Sequence, residues 1–244
     1  VSDQIERDPR FVKTVCVIQH VEAEYLGLLE DHLEGRNIRF RYCRPFTPGG
    51  KVPTSAGGYD ALVILGAGCL GVVSGDLIPS LGAELRLARN FIDNQLPVVG
   101  IGAGAAILSV ACGGGAAGAS LRFALKTGRR VVPSALDGHL PTAFPVCVYM
   151  RDRIVLPGDA QILAVDSDGE PVVFQLGGNS LGFLGHPGVK TAMIEDLIMN
   201  TDEVPADSAE TLARLRSLQP EIAAALGEIT VGLMGVTHLM DPSS

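Results

Sequence analysis

Two short runs, ALVILG at 61–66 and LPVVGI at 96–101, are apolar at every position, and a third, TVCVIQ at 14–19, is nearly so. A strand with one wet face alternates in polarity, so runs that do not alternate must be covered on both faces. Between them lie segments of helical spacing. Leu26, Leu29 and Leu33 recur within Ala23–Glu34, and Leu81, Leu85, Leu87 and Phe91 recur within residues 79–94, where Pro79 lies near the start. Strands that alternate with helices and are buried on both sides predict an α/β fold with a mostly parallel central sheet.

Ile38–Arg44 reads as a further strand, and after Arg122 the pattern changes. Shorter runs (RRVVP, FPVCVYM, PVVFQL and SLGFLG) are spaced by Gly, Pro and Asp turns, which predicts antiparallel additions. Thr191–Met199 returns to helix, and Ser208–Leu239 reads as one or two amphipathic helices with a break or fresh start at Pro220. The expected organisation is one domain over residues 1–200 and a helical extension over 201–244 packed on it. NTDEVPAD at 200–207 is the one linker-like stretch.

Composition narrows the partners. Lys and Arg number 19 against 27 Asp and Glu, a formal charge of −8, so no basic field attracts nucleic acid or an anionic membrane. Aromatic residues are only 5% and Trp is absent, which disfavours stacking platforms for sugars or single strands. Cys16, Cys43, Cys69, Cys112 and Cys147 are scattered and never form a CxxC pair, so neither a disulfide framework nor a thiolate zinc site is expected, and a reducing cytoplasm fits. The five histidines show no HxH, HxxxH or HExxH spacing, so no metal is implied. The charged opening VSDQIERDPRFVK lacks the apolar core of a secretory signal. Leu96–Leu121 contains no charge, yet its seven glycines read as a buried strand, turn and helix rather than a membrane span.

Three segments are placed for chemistry. VVGIGAGAAIL at 98–108 is a strand running through a Gly-rich turn into a helix, the elbow that in many α/β enzymes lifts a nucleophile to the sheet edge. It lacks the last glycine of GxGxxG and the Lys-Ser/Thr of a P-loop, so no nucleotide cofactor is expected. VILGAGCLGVV at 63–73 ends another strand in Gly66, Ala67 and Gly68, whose backbone N–H groups suit an oxyanion hole or simply a tight turn. LGFLGHPGVK at 181–190 places His186 at the end of an apolar strand.

In this order the three resemble the class I glutamine amidotransferase domain, especially stand-alone members similar to the amidotransferase half of GMP synthase. The resemblance covers roughly residues 14–200. It matches YDALVILGAGCLGV to the family's oxyanion turn, GIGAGAA to its GxCxGxQ elbow and HPG to its late HPE. The helical tail after residue 200 is similar to that subgroup as well. The resemblance implies a three-layer flavodoxin-like fold. It also implies a nucleophilic Cys at Gly102, a His at His186 and a Glu at Gly188, of which only the histidine is present. The elbow's usual Gln is Ala106, and CVYMRD at 147–152 replaces the aromatic-His-x-Asp element.

Glutamine hydrolysis needs a thiolate to attack the amide, an imidazole to activate it and protonate ammonia, and a carboxylate to orient that imidazole. Glycine at 102 supplies no nucleophile. The leading expectation is therefore a catalytically inactive amidotransferase-like protein that serves as a binding, scaffolding or regulatory subunit of a larger, amine- or nitrogen-metabolising enzyme complex. A vestigial pocket formed by Gly66, Ala67, Gly68, Ala103, Ala106 and His186 would take a small glutamyl-like ligand. The apolar tail Ile229–Met240 is a candidate partner surface, its alternative being packing on its own domain. The competing expectation is an active amidohydrolase or amidotransferase with Cys69 as relocated nucleophile, or with Gly102 replacing cysteine by design. The simultaneous loss of the carboxylate at Gly188 argues against design. His20, at the end of the first strand, is expected to meet solvent or a loop, and Glu84, Arg86 and Arg89 to form a solvated helix face.

Overall fold

The computed structural model describes residues 13–241, so the reading of the first twelve residues lies outside it. A nine-stranded mixed sheet organises the chain. Its parallel half contains β1 (Lys13–Ile18), β2 (Ile38–Cys43), β3 (Ala61–Ile64), β4 (Val98–Ile101) and β11 (Ser180–Phe183), in the spatial order β2-β1-β3-β4-β11. The other half is antiparallel and continues through β10 (Pro171–Leu176), β9 (Gln161–Val165), β6 (Arg122–Arg130) and β7 (Ala143–Met150). A separate pair, β5 (Gly115–Ala117) with β8 (Arg153–Val155), lies outside the main sheet.

The apolar runs fold as expected because the sheet is covered on both faces. Cys16 and Ile18 of β1, Leu62 and Ile64 of β3 and Val98 of β4 meet α2 (Leu81–Asp93) and α3 (Ala103–Ala111). Val15, Val17, Val63, Val99 and Ile101, one residue out of phase, meet α1 (Leu29–Glu34) and α5 (Ser208–Thr237). This alternation makes three layers. The charge-free stretch 96–121 is divided among β4, α3 and β5, and no helix among the described residues is long and apolar enough to cross a membrane.

Helix α4 spans Thr191–Met199, as its spacing predicts. The expected break at Pro220 does not occur, for α5 runs unbroken over 30 residues. A proline removes one helical N–H and crowds the preceding turn, but Pro220 lies on the solvent side, where a helix yields by bending. Leu226, Ile229, Leu233, Met234 and Leu239 are buried against the sheet, so most of the tail's apolar surface is spent within the chain, leaving Met240 and Val231 exposed. The helix expected over Ala23–Glu34 is shortened to α1, and residues 20–28 form turns instead. RRVVP is not a strand of its own: its arginines end β6 and residues 131–133 leave the sheet.

Candidate functional site

β4 delivers the chain to Gly102, which adopts φ 56° and ψ −118° before α3 begins at Ala103. This is the left-handed, strained conformation of a strand-to-helix elbow. The Gly102 N–H donates to the Phe183 carbonyl at 2.9 Å and ties the elbow to β11. A Cβ at this position would meet nothing nearer than Gly66 Cα, 3.6 Å away. The elbow is built and has room for a side chain, but none is there.

His186 follows β11 and is anchored when its N–H donates to the Cys147 carbonyl at 3.2 Å. Its ring is fully committed. The Gly188 N–H donates to Nδ1 at 3.1 Å, and Nε2 lies 2.8 Å from the Tyr25 carbonyl oxygen. A carbonyl only accepts, so the proton sits on Nε2 and the imidazole is neutral. Burial pushes its pKa down to about 4. No lone pair or proton of this ring is left for a reacting group.

The segment that blocks His186 also closes the carboxylate position. Gly188 lies where a glutamate is implied, and a Cβ there would come within 3.0 Å of Leu29 N and 3.1 Å of the Leu26 carbonyl. The Leu28 N–H donates to the Gly188 carbonyl at 2.8 Å. Gly27, at φ 64°, is required by that approach, since a Cβ of its own would overlap the Gly188 oxygen. This contact delays the start of the expected helix to Leu29.

The same turns carry Glu24 into the Gly66–Gly68 bend, where the sequence places an oxyanion. The Gly68 N–H donates to Glu24 Oε2 at 2.5 Å, and a Cβ on Gly66 would overlap Glu24 Oε1. Burial raises the Glu24 pKa to about 7. Beyond the bend, His20 Nδ1 lies 2.8 Å from the Gly66 carbonyl and Nε2 lies 2.7 Å from Glu84 Oε2. Ser80 Oγ donates to the other Glu84 oxygen at 2.5 Å. Burial alone would depress His20, yet the charge and hydrogen bond of Glu84 hold it above its ordinary value. Two expectations are corrected here. Glu84 is fully buried rather than part of a solvated face, and His20 is locked in an internal ion pair rather than facing solvent.

The cavity bounded by Glu24, Gly102, Cys147, Tyr149, His186 and Met193 encloses only about 10 Å³. That is about the space of a single water. The Tyr149 hydroxyl is buried at its wall with no hydrogen-bond partner among the described residues. Gly66, Gly68, Gly102, His186 and Gly188 thus converge, as their order in the chain suggests. Ala67, Ala103 and Ala106 do not join them: all three pack with Ile18 and Ile64 in the core toward α2. Cys69 is half-buried against the cluster containing Cys147 and Tyr149, and its carbonyl accepts from Arg151 Nε at 3.0 Å. Among the described residues no hydrogen bond links Cys69 to His186. Nor do three His, Cys, Asp or Glu side chains gather there as a metal-binding group.

Glu24 escaped the sequence reading, and Cys147 and Tyr149 entered it only as part of CVYMRD, without a role in the site. Glu24 sits within an apparent amphipathic helix, and only Gly27 signals that the helix does not form there.

No protein-family model matches the sequence, and a search of curated proteins finds no match. Solved structures do match. A glutamine amidotransferase of Thermotoga maritima is 21% identical and superposes with a TM-score of 0.76, covering 93% of this chain and 98% of its own. A glutamine amidotransferase of Methylobacillus flagellatus is 18% identical, with a TM-score of 0.80 over 96% and 97% of the two chains. A Thermoplasma acidophilum protein described as a GMP synthase subunit is 18% identical, with a TM-score of 0.59 over 86% and 98%. The strand order, the elbow at Gly102 and these superpositions together give the chain the fold of the class I glutamine amidotransferases.

Proposed function

We propose that this chain is a catalytically inactive glutamine amidotransferase-like protein, acting as a binding or regulatory subunit of a larger enzyme complex. The observation that carries the reading is the commitment of both His186 ring nitrogens to main chain, at Tyr25 and Gly188. Without a free imidazole neither a side chain at position 102 nor Cys69 has a base. Glu24 adds to this, because its carboxyl already takes the Gly68 N–H, a backbone donor placed to stabilise a tetrahedral oxyanion. The remaining cavity is far too small for a glutamyl group. Membership of a complex is supported by the similarity to the Thermoplasma protein described as part of a GMP synthase, a fold relative defined by its place in an assembly.

The test has two arms. Purified chain incubated with glutamine is expected to release no ammonia above the uncatalysed rate, and turnover that disappears in Cys69→Ser overturns the inactive reading. Tagged chain isolated from its own host is expected to run as a defined assembly well above 25.5 kDa. A free monomer overturns the proposed place in a complex.

A further inference from the structure

Two cysteines far apart in sequence meet on the α2/α3 side of the sheet. Cys16 lies in the middle of β1 and is fully buried, whereas Cys43 is the last residue of the edge strand β2 and is half-buried. The register pairs Cys43 with Ile18, which places Cys16 two residues back on the same face. Their sulfurs are 3.7 Å apart, and the Tyr59 hydroxyl lies 3.9 Å from Cys43 Sγ on another side. One half-buried cysteine therefore has a thiol and a phenol within sulfur hydrogen-bond reach, each able to act as donor to it. Neither belongs to the site around Gly102.

We propose that Cys43 is a peroxide-reactive thiol whose thiolate is held by Cys16 and Tyr59 as hydrogen-bond donors. The asymmetry of the pair sets the roles. The hydrogen bond to Cys43 and burial both push the Cys16 thiol up, so the proton stays on Cys16. Cys43 is pulled below the usual thiol range, first by Cys16 and then by Tyr59 and the charge of Arg41, against its own burial. Cys112, also half-buried, moves the other way, since burial and Asp159 keep its proton on. The thiolate is the nucleophile in such chemistry, so reactivity concentrates at Cys43.

The reaction is a two-electron oxidation by a hydroperoxide. The Cys43 sulfur attacks the distal peroxide oxygen, an S–O bond forms, and the O–O bond breaks. The departing alkoxide or hydroxide takes a proton from solvent, leaving Cys43 as sulfenic acid. Resolution by Cys16 is opposed by the register. Strands about 4.8 Å apart and a two-residue offset of about 3.3 Å per residue put the two Cα atoms ~8 Å apart, beyond the span of a disulfide. The sulfenic acid persists, with the Cys16 S–H beside it. The Cys43 carbonyl accepts from the Gln19 N–H at 3.0 Å, and Arg44 Nε donates to Gln19 Oε1 at 2.7 Å. Oxidation thus falls where β2 anchors the start of the segment that carries Glu24.

The experiment treats the folded chain with an equimolar amount of hydrogen peroxide at pH 7 in the presence of dimedone, followed by peptide mapping. The dimedone adduct is expected on Cys43 before Cys69 or Cys112, and to vanish in Cys43→Ser. Iodoacetamide alkylation of Cys43 followed against pH should slow about fivefold at pH 7 in Cys16→Ala, as the thiolate loses its first donor and its pKa rises from about 7 to about 8. If Cys16→Ala does not fold, Tyr59→Phe gives the same readout with a smaller change. Equal labelling of the three half-buried cysteines, or alkylation unaffected by both variants, overturns the proposal. A Cys16–Cys43 disulfide as the main product overturns the register argument on which the persistent sulfenic acid rests.

Discussion

Glu24 and His186 are buried in contact with the same cavity, and they respond to pH in opposite directions. The folded chain holds the Glu24 proton to about pH 7, whereas the unfolded chain releases it near the ordinary glutamate value. Stability is therefore lost as pH rises through that window. His186 is neutral down to about pH 4 when folded, so between its ordinary value near 6.5 and pH 4 the unfolded chain binds the extra proton, and stability is lost as pH falls. Glu24→Gln should be neutral relative to the natural chain near pH 4 and more stable by about 3 kcal/mol at pH 8, the linkage of a shift of two to three pH units. Denaturant titrations at a series of pH values measure it. His186→Gln should lose part of the acid-side decline instead. Restoring the missing groups faces a different obstacle. Gly102→Cys has space at the elbow, although a side chain at that φ costs about 1–3 kcal/mol. Gly188→Glu has to displace the Leu26–Leu29 backbone. The double variant should show no glutaminase activity in an ammonia-release assay, because Glu24 still fills the oxyanion turn.

Among the elements, α5 is the one whose sequence most misleads. Pro220 looks like a boundary, but a proline on the wet side of a long helix removes a hydrogen bond that water replaces. Pro220→Ala should raise the melting temperature, whereas Leu226→Ala, fully buried under the same helix, should cost about 2–5 kcal/mol. Thermal melts of the two variants read both signs. The strands β1, β3 and β4 were legible because burial on both faces leaves a continuous apolar run, and α4 because its spacing is undisturbed by Gly or Pro. Strands β5, β6, β8 and β9 were missed as units: β6 carries Arg122, Lys126, Arg129 and Arg130, and three of the four are short and partly wet. Of the site, the glycines and His186 could be placed from strand ends alone. Glu24 could not, since its position depends on Gly27 meeting Gly188 across 161 residues.

For the whole molecule, Asp152 ties the turn after β7, in the antiparallel half, to the segment after β3, in the parallel half. This residue is fully buried in a left-handed turn after β7. Its Oδ2 accepts the Val72 N–H at 2.7 Å and the Val73 N–H at 2.9 Å, while Oδ1 accepts Ser74 Oγ. Burial works against its charge, but these donors outweigh it and hold the carboxyl below the usual range. Asp152→Ala leaves the Val72 and Val73 N–H groups without their acceptor, while Ser74 Oγ keeps the Ala119 carbonyl at 3.1 Å, so the expected cost is about 1–3 kcal/mol per buried donor. Equilibrium unfolding checks the size, and the difference from the natural chain should shrink as acid protonates Asp152.

The strand order also bears on how the chain is made. β4 lies between β3 and β11, so one of its edges waits for residues synthesised about 80 positions later, and the Val98 N–H is capped by Ser180 Oγ only then. A nascent chain that has emerged as far as β10 carries an apolar strand with one open side, beside the Gly-rich elbow. Such late, distant pairing slows folding and prolongs exposure to aggregation. Growth temperature and synthesis rate should therefore govern the yield of soluble chain more strongly than the stability of the finished fold does.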